Sequence, residues 1–252
     1  MGFKIVIPAR YASSRLPGKP LADIAGKPMI EHVYDRCVEA LEQADGVYVA
    51  TDDTRVQKAA EAFGANVVMT AEDHASGTDR IAEVVDKLSL SDDEIIVNVQ
   101  GDEPMMPPAL VRDVAALLAK HPNAAMATAS HAIASLDDLL NPNVVKVVTD
   151  RAGAACYFSR SAIPHERGAD RPDLQRFAYQ RHIGIYAYRA GTLRKLTKLE
   201  PAPLEELEAL EQLRALYHGL KIMVAEVAEA PPAGVDTEKD LAHVRAMMER
   251  LS

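Results

Sequence analysis

The sequence predicts an α/β protein built as a three-layer, doubly wound sheet, mostly parallel and mixed toward its C-terminal half. Two patterns and the length predict it. Short Ile- and Val-rich runs alternate with helical segments of about a dozen residues through the first half, the signature of βαβ units whose sheet is covered on both faces. Past residue 123 the runs are joined by longer loops, so further strands are expected to enter in both directions. A chain of 252 residues lies near the upper size of one hydrophobic core, and one domain over 1–252 is expected.

The elements follow in order. Ile5–Ile7 reads as strand and ends at Pro8. Met29–Glu42 reads as helix, Val47–Thr51 as strand, Thr54–Phe63 as helix and Asn66–Met69 as strand. Thr78–Leu88 is a helix that Ser76 can cap, Ile95–Val99 a fourth strand, and Pro108–Lys120 a helix with proline in its first turn. Ala124–His131, Val144–Thr149, Ala154–Phe158 and Ile183–Tyr188 read as the strands of the second half. The polar stretch from Ser161 to Tyr179 contains Pro164 and Pro172 and reads as a loop or protruding arm. Leucines at 204, 207, 210, 213 and 216 predict one helix from Pro203 to Gly219. Steps of three drift round a helix, so these leucines are expected to cover a broad core-facing side. A strand, Ile222–Val227, and a final helix complete the chain, with Thr237 and Asp240 approximating a capping box.

Composition narrows the function. Charged residues make up 26% and apolar ones 48%, ordinary for a soluble globular protein. A formal charge of −9 argues against a general nucleic-acid or anionic-membrane binder. No run is long and apolar enough to span a bilayer, and Lys4, Pro8 and Arg10 interrupt any signal core, so a cytoplasmic protein is expected. Cys37 and Cys156 stand apart, which gives neither a zinc site nor a disulfide framework.

Against that acidic background the first loop is basic. Lys4, Arg10, Arg15 and Lys19 fall between Met1 and Ala22 with no acid among them, and the loop's small residues let a ligand approach the backbone. Fixed cations beside free N–H groups suit a polyphosphate. The common nucleotide motifs are absent. Lys19 and Lys27 follow glycine but precede proline, and no two of the 13 glycines stand two apart. In a doubly wound sheet the loop after the first strand and Gln100-Gly101-Asp102-Glu103-Pro104 after the fourth would face each other across a crevice if strand order reverses between them. Asp102 would then oppose a triphosphate held by Arg15 and Lys19, and magnesium coordination is one role for it; a turn aspartate bonded to its own backbone is the other. Asp236, in Gly234-Val235-Asp236-Thr237, reads by itself as part of a helix cap.

The spacing Pro-Ala-Arg, Ser-x-Arg-Leu-Pro-Gly-Lys-Pro-Leu and Gly-Lys-Pro-Met-Ile at the N-terminus resembles the CMP-sugar-acid synthetases, and most closely the CMP-Kdo synthetase family. The similarity runs from about Ile5 to Leu241 and is weakest over His165–Arg181, where Pro164-His165-Glu166-Arg167 departs from the usual pattern. It implies a nucleotide-diphospho-sugar-transferase-like fold and a cytidylyltransferase that joins CTP to 3-deoxy-D-manno-octulosonate (Kdo), releasing pyrophosphate, for lipopolysaccharide synthesis. By the same resemblance Asp102 and Asp236 bind catalytic Mg2+, with Arg15 and Lys19 completing the catalytic set. CTP contacts fall on Ala9, Arg10, Ser14, Arg15, Lys19, Ser76, Gly77, Thr78, Arg80 and Gln100. Sugar-acid contacts fall on Gln100, Arg160, Arg167, His182, Tyr186, Glu211 and Gln212. A strand histidine, a core tyrosine and a solvated glutamate are the structural alternatives for His182, Tyr186 and Glu211.

A homodimer is expected, partly from the family and partly because a compact monomer does not need the arm within about 150–190. No nucleic acid or membrane partner is expected. The competing functions are activation of a related sugar acid (8-amino-Kdo or sialic acid), a nucleoside-diphosphate-sugar pyrophosphorylase, and a nucleotide-binding regulator without catalysis.

Overall fold

A computed structural model describes residues 2–12, 16–42, 46–74 and 76–250. Its core is a nine-stranded mixed sheet. Strand β1 (Lys4–Pro8) runs parallel to β4 (Val47–Thr51), and β4 runs parallel to β5 (Asn66–Met69). Between β1 and β4 lie a short 3-10 turn (Lys19–Leu21) and a two-stranded hairpin, β2 (Asp23–Ile24) with β3 (Lys27–Pro28). Helix α1 (Met29–Leu41) leads into β4, α2 (Thr54–Ala62) into β5, and α3 (Gly77–Lys87) carries the chain to β6 (Ile95–Asn98).

The decisive step is where β6 lands. It pairs parallel with β1 on the side away from β4, with Ile5 opposite Val97 and Val6 opposite Asn98. Strand order therefore reverses between β1 and β6, and the loops leaving their C-terminal ends diverge around an open crevice. After α4 (Pro108–Lys120) the chain adds β7 (Met126–Ala132), the short α5 (Leu136–Leu140), β8 (Lys146–Thr149), β9 (Ala155–Ser159) and the long β10 (Gln180–Arg189). Strand β10 is antiparallel to both β6 and β7, which makes the sheet mixed. Then come α6 (Ala190–Leu196), α7 (Pro203–Glu208), α8 (Gln212–Tyr217), β11 (Ile222–Val227), parallel to β7, and α9 (Glu238–Met248).

Alternation along the central strands builds a core on each face. Ile5, Ile7, Ile95 and Val97 pack toward α1, α2 and α4, whereas Val6 and Ile96 pack toward α3, α6 and α8. These residues are fully or almost fully buried, as a parallel sheet covered on both sides requires. A smaller cluster joins Leu16, Ile24 and Met29 to Val235, Leu241 and Val244. It ties the first loop to the start of α9, so residues more than two hundred positions apart meet at one end of the sheet.

The expected leucine helix is two helices. Ala209 turns left-handed (φ 49°) and separates α7 from α8. Leu210 and Leu213 are buried, but Leu207 is 83% exposed and Leu204 is also exposed, so the leucines do not form one core face. A leucine repeat reports spacing, not the break that redirects half of it outward. Helices α5 and α6 were also not anticipated. No helix among the described residues is long and apolar enough to cross a membrane.

Candidate active site

The crevice between β1 and β6 is a cleft of about 370 Å³ lined by Ala9, Arg10, Lys19, Gly77, Gln100 and Asp102 among others. Its narrowness depends on glycine: a Cβ at Gly101 would fall 2.7 Å from the carbonyl oxygen of Pro8. Arg10 donates through Nη2 to the carbonyl of His74 at 2.6 Å and so fastens the first loop to the segment before α3. There Ser76 and Asp79 form a reciprocal capping box, as the sequence suggested for Ser76.

Lys19 is the centre of charge. Its ammonium donates to Asp102 Oδ2 at 2.6 Å and to Asp236 Oδ1 at 3.2 Å. Backbone pairing brings the two aspartates together, because the Val235 N–H donates to the Asp102 carbonyl at 2.8 Å. Gly234 permits that approach: a Cβ there would lie 2.8 Å from Glu103 Oε1. Burial, with Asp102 and Asp236 alongside, pushes the Glu103 carboxyl up to about 8. Among the described residues no three Asp, Glu, His or Cys side chains converge as a metal cage. Two carboxylates sharing one cation fit a magnesium ion that completes its shell with phosphate oxygens and water.

A second cleft of about 290 Å³ continues past Asp102 and Asp236 to His131, Arg181, His182 and Gly184. His182 Nε2 lies 2.9 Å from Thr128 Oγ1, and that hydroxyl also lies 2.7 Å from the Ile185 carbonyl. The hydroxyl has one proton, which goes to Ile185, so His182 donates Nε2–H to Thr128 and keeps Nδ1 as an acceptor. Burial holds the imidazole down at about 3, hence neutral. A third, smaller cavity of about 120 Å³ is lined by Thr78, Tyr186, Glu211 and Gln212. The Ser76 hydroxyl donates to Glu211 at 3.2 Å, and the Gln212 side-chain nitrogen is buried without a partner among the described residues.

A profile described as Cytidylyltransferase matches residues 4–222. The chain is 55% identical to the 3-deoxy-manno-octulosonate cytidylyltransferase of Idiomarina loihiensis over 98% of both chains. It is 57% identical to that of Hahella chejuensis over 99% of both. The chain belongs to the 3-deoxy-manno-octulosonate cytidylyltransferase family. A solved structure of CMP:2-keto-3-deoxy-manno-octonic acid synthetase complexed with CTP matches its whole length at 46% identity and a TM-score of 0.90. A cytidylyltransferase from Leptospira borgpetersenii, 16% identical with a TM-score of 0.63, shares the fold.

The family's expected site residues are not all brought together. Ala9, Arg10, Lys19, Gly77, Gln100, Asp102 and Asp236 line joined clefts. Thr78, Tyr186, Glu211 and Gln212 share the third cavity, and His182 stands beside it, its ring 5.4 Å from that of Tyr186. Ser14 and Arg15 lie outside the described residues. Arg80 is wholly buried; its guanidinium bonds to Asp52 and Thr70 beneath α3 and does not reach the cleft. Arg160 is likewise committed elsewhere, donating to the carbonyls of Glu208, Pro142 and Ala209. Arg167 is exposed on the arm. Two further cleft residues, Glu103 and Arg181, fall within segments the sequence marked for the site but are not among the contacts expected from it. Each is the immediate neighbour of a residue that was chosen, and sequence does not show which of two adjacent side chains faces a cleft.

Proposed function

We propose that the protein transfers the cytidylyl group of CTP to the anomeric hydroxyl of Kdo, giving CMP-Kdo and pyrophosphate for lipopolysaccharide assembly. The observation that carries this is the convergence of Lys19, Asp102 and Asp236 at the strand-order reversal, in a chain whose relatives bear that activity's name. The first cleft takes the triphosphate, with Arg10 and Lys19 on its phosphates, and the base lies toward Ser76 and Gly77. The sugar hydroxyl attacks the α-phosphorus and loses its proton to water, the bond to the oxygen bridging to the β-phosphate breaks, and pyrophosphate leaves. Positioning and charge stabilisation account for the catalysis. Asp102 and Asp236 would hold magnesium, which lowers charge on the α-phosphate and makes the attacking hydroxyl more acidic. Lys19 anchors both carboxylates in this structure and offers the same ammonium to the departing pyrophosphate. The neutral His182 acceptor and the unpartnered Gln212 amide suit sugar hydroxyls.

The reading includes a homodimer. Among the described residues strand β9 pairs along one side only, with β8, and Leu140, Phe177 and Leu207 are exposed apolar side chains in this half of the molecule. A panel of Kdo, 8-amino-Kdo and sialic acid, followed by pyrophosphate release with CTP and magnesium, tests the function. Fastest turnover of Kdo is expected, and preference for either other acid replaces the assignment.

A further inference from the structure

Thr128 does not line the second cleft, but it touches a residue that does. It stands in the middle of β7, fully buried, with Val224 of β11 opposite it on one side. On the other side the ladder between β7 and β10 is irregular. Ile183 pairs with Ala129 and Ala187 with Ala127, so Gly184, Ile185 and Tyr186 all lie opposite Thr128 alone. A bulge of this kind leaves backbone carbonyls without ladder partners and re-aims the side chains it carries. The Thr128 hydroxyl fills the gap, 3.1 Å from the Ile183 carbonyl and 2.7 Å from that of Ile185.

The same hydroxyl lies 2.9 Å from His182 Nε2. Facing two carbonyls with a single proton, it has nothing to give the imidazole and can only accept from it. Two neighbouring rings fix the plane in which this happens. Phe158 stands edge-on to the imidazole at 5.0 Å and Tyr186 lies tilted at 5.4 Å, centroid to centroid. The tether therefore decides which nitrogen keeps its lone pair. Nδ1 keeps it, has no partner among the described residues, and belongs to a ring that lines the cleft with Asp102 and Asp236. A neutral ring nitrogen in that state accepts from a hydroxyl and repels a carboxylate or phosphate oxygen. Reversing the tautomer would turn the acceptor into a donor and leave the Thr128 oxygen facing a lone pair.

We propose that Thr128 is a positioning residue of the reaction: it braces the β10 bulge and pins His182 as its Nε2–H tautomer, so that Nδ1 receives a hydroxyl of the sugar. This rests on the function proposed above, and a readout that needs no turnover separates the two. Long-range nitrogen–proton NMR of protein labelled in its histidine rings reports the tautomer, with the His182 signals assigned by their loss in His182→Gln. The wild-type protein is expected to carry the proton on Nε2. Thr128→Val keeps the branched shape and removes the oxygen. It should release that tautomer and raise KM for Kdo by about tenfold, with KM for CTP changed less than about threefold. Thr128→Ser keeps the oxygen and opens a methyl-sized gap, and should retain both the tautomer and KM for Kdo while melting lower. A merely structural Thr128 would instead make both variants lose activity in step with their melting temperatures. A wild-type proton on Nδ1, or an unchanged tautomer or unchanged KM for Kdo in Thr128→Val, overturns the assignment, and the first of these is read without any variant having to fold. Absence of Kdo turnover by the wild-type protein overturns the function, while the wild-type spectrum still decides whether Thr128 sets the tautomer.

Discussion

Asp102 and Asp236 are 134 positions apart in sequence yet share the Lys19 ammonium. Each therefore stands with a compensating charge before any ligand arrives, which is how carboxylates intended for a cation can be held close together. Replacing either by asparagine keeps the shape and removes the charge. Asp102→Asn and Asp236→Asn are expected to keep the wild-type circular dichroism, to lose about a hundredfold or more in kcat, and to weaken Mn2+ binding followed by electron paramagnetic resonance in the presence of CTP. Wild-type Mn2+ affinity in either variant removes that residue from the metal site. At this scale the sequence was legible where a motif names a residue and illegible where partners decide its role. Arg80 and Arg160 look in sequence like cations available to a ligand. Only the fold shows that buried or backbone partners already occupy their donors.

At the scale of elements, the crevice depends on how closely two loops approach. Gly101 sits where a methyl group would meet the Pro8 carbonyl at 2.7 Å. Gly101→Ala must push the β1 and β6 loops apart, at about 1–3 kcal/mol for overpacking. It is expected to lower the melting temperature and to raise KM for CTP more than KM for Kdo; an unchanged KM for CTP contradicts the placement of the nucleotide. Helix α3 is held to the preceding loop by Glu83. Burial raises its carboxyl, but bonds from Lys87, His74 and the Ala71 N–H outweigh burial and hold it at about 2, against an ordinary 4.5. A depressed carboxyl contributes stability that is present above the unfolded value and lost as pH falls through the folded one. Glu83→Gln should therefore be less stable than the wild-type protein at pH 7, and the difference should shrink between about pH 4.5 and 2. A constant difference across that window contradicts the pairing. The alternating first half, from β1 to α4, was legible almost residue by residue because buried Ile/Val runs and caps are local signals. The break at Ala209 was not, since an alanine carries no mark of a left-handed turn.

For the whole molecule, the reversal of strand order between β1 and β6 was legible only as a condition: the sequence shows that a crevice forms if the order reverses, and pairing of β6 with β1 supplies the reversal. Packing of α9 against the first loop through Leu16 and Val235 then delivers Asp236. The exposed apolar side chains of the second half lead to an expected dimer mass in light scattering at micromolar concentration, and a fully active monomer contradicts that expectation. The central claim is chemical, however, and one measurement reaches it directly. Phosphorus NMR of the protein with CTP, Kdo and magnesium should show loss of the CTP resonances matched one to one by pyrophosphate and a CMP diester, with no change when Kdo is left out. Persistence of intact CTP in the complete mixture, or equal consumption of CTP without the sugar, would contradict the account.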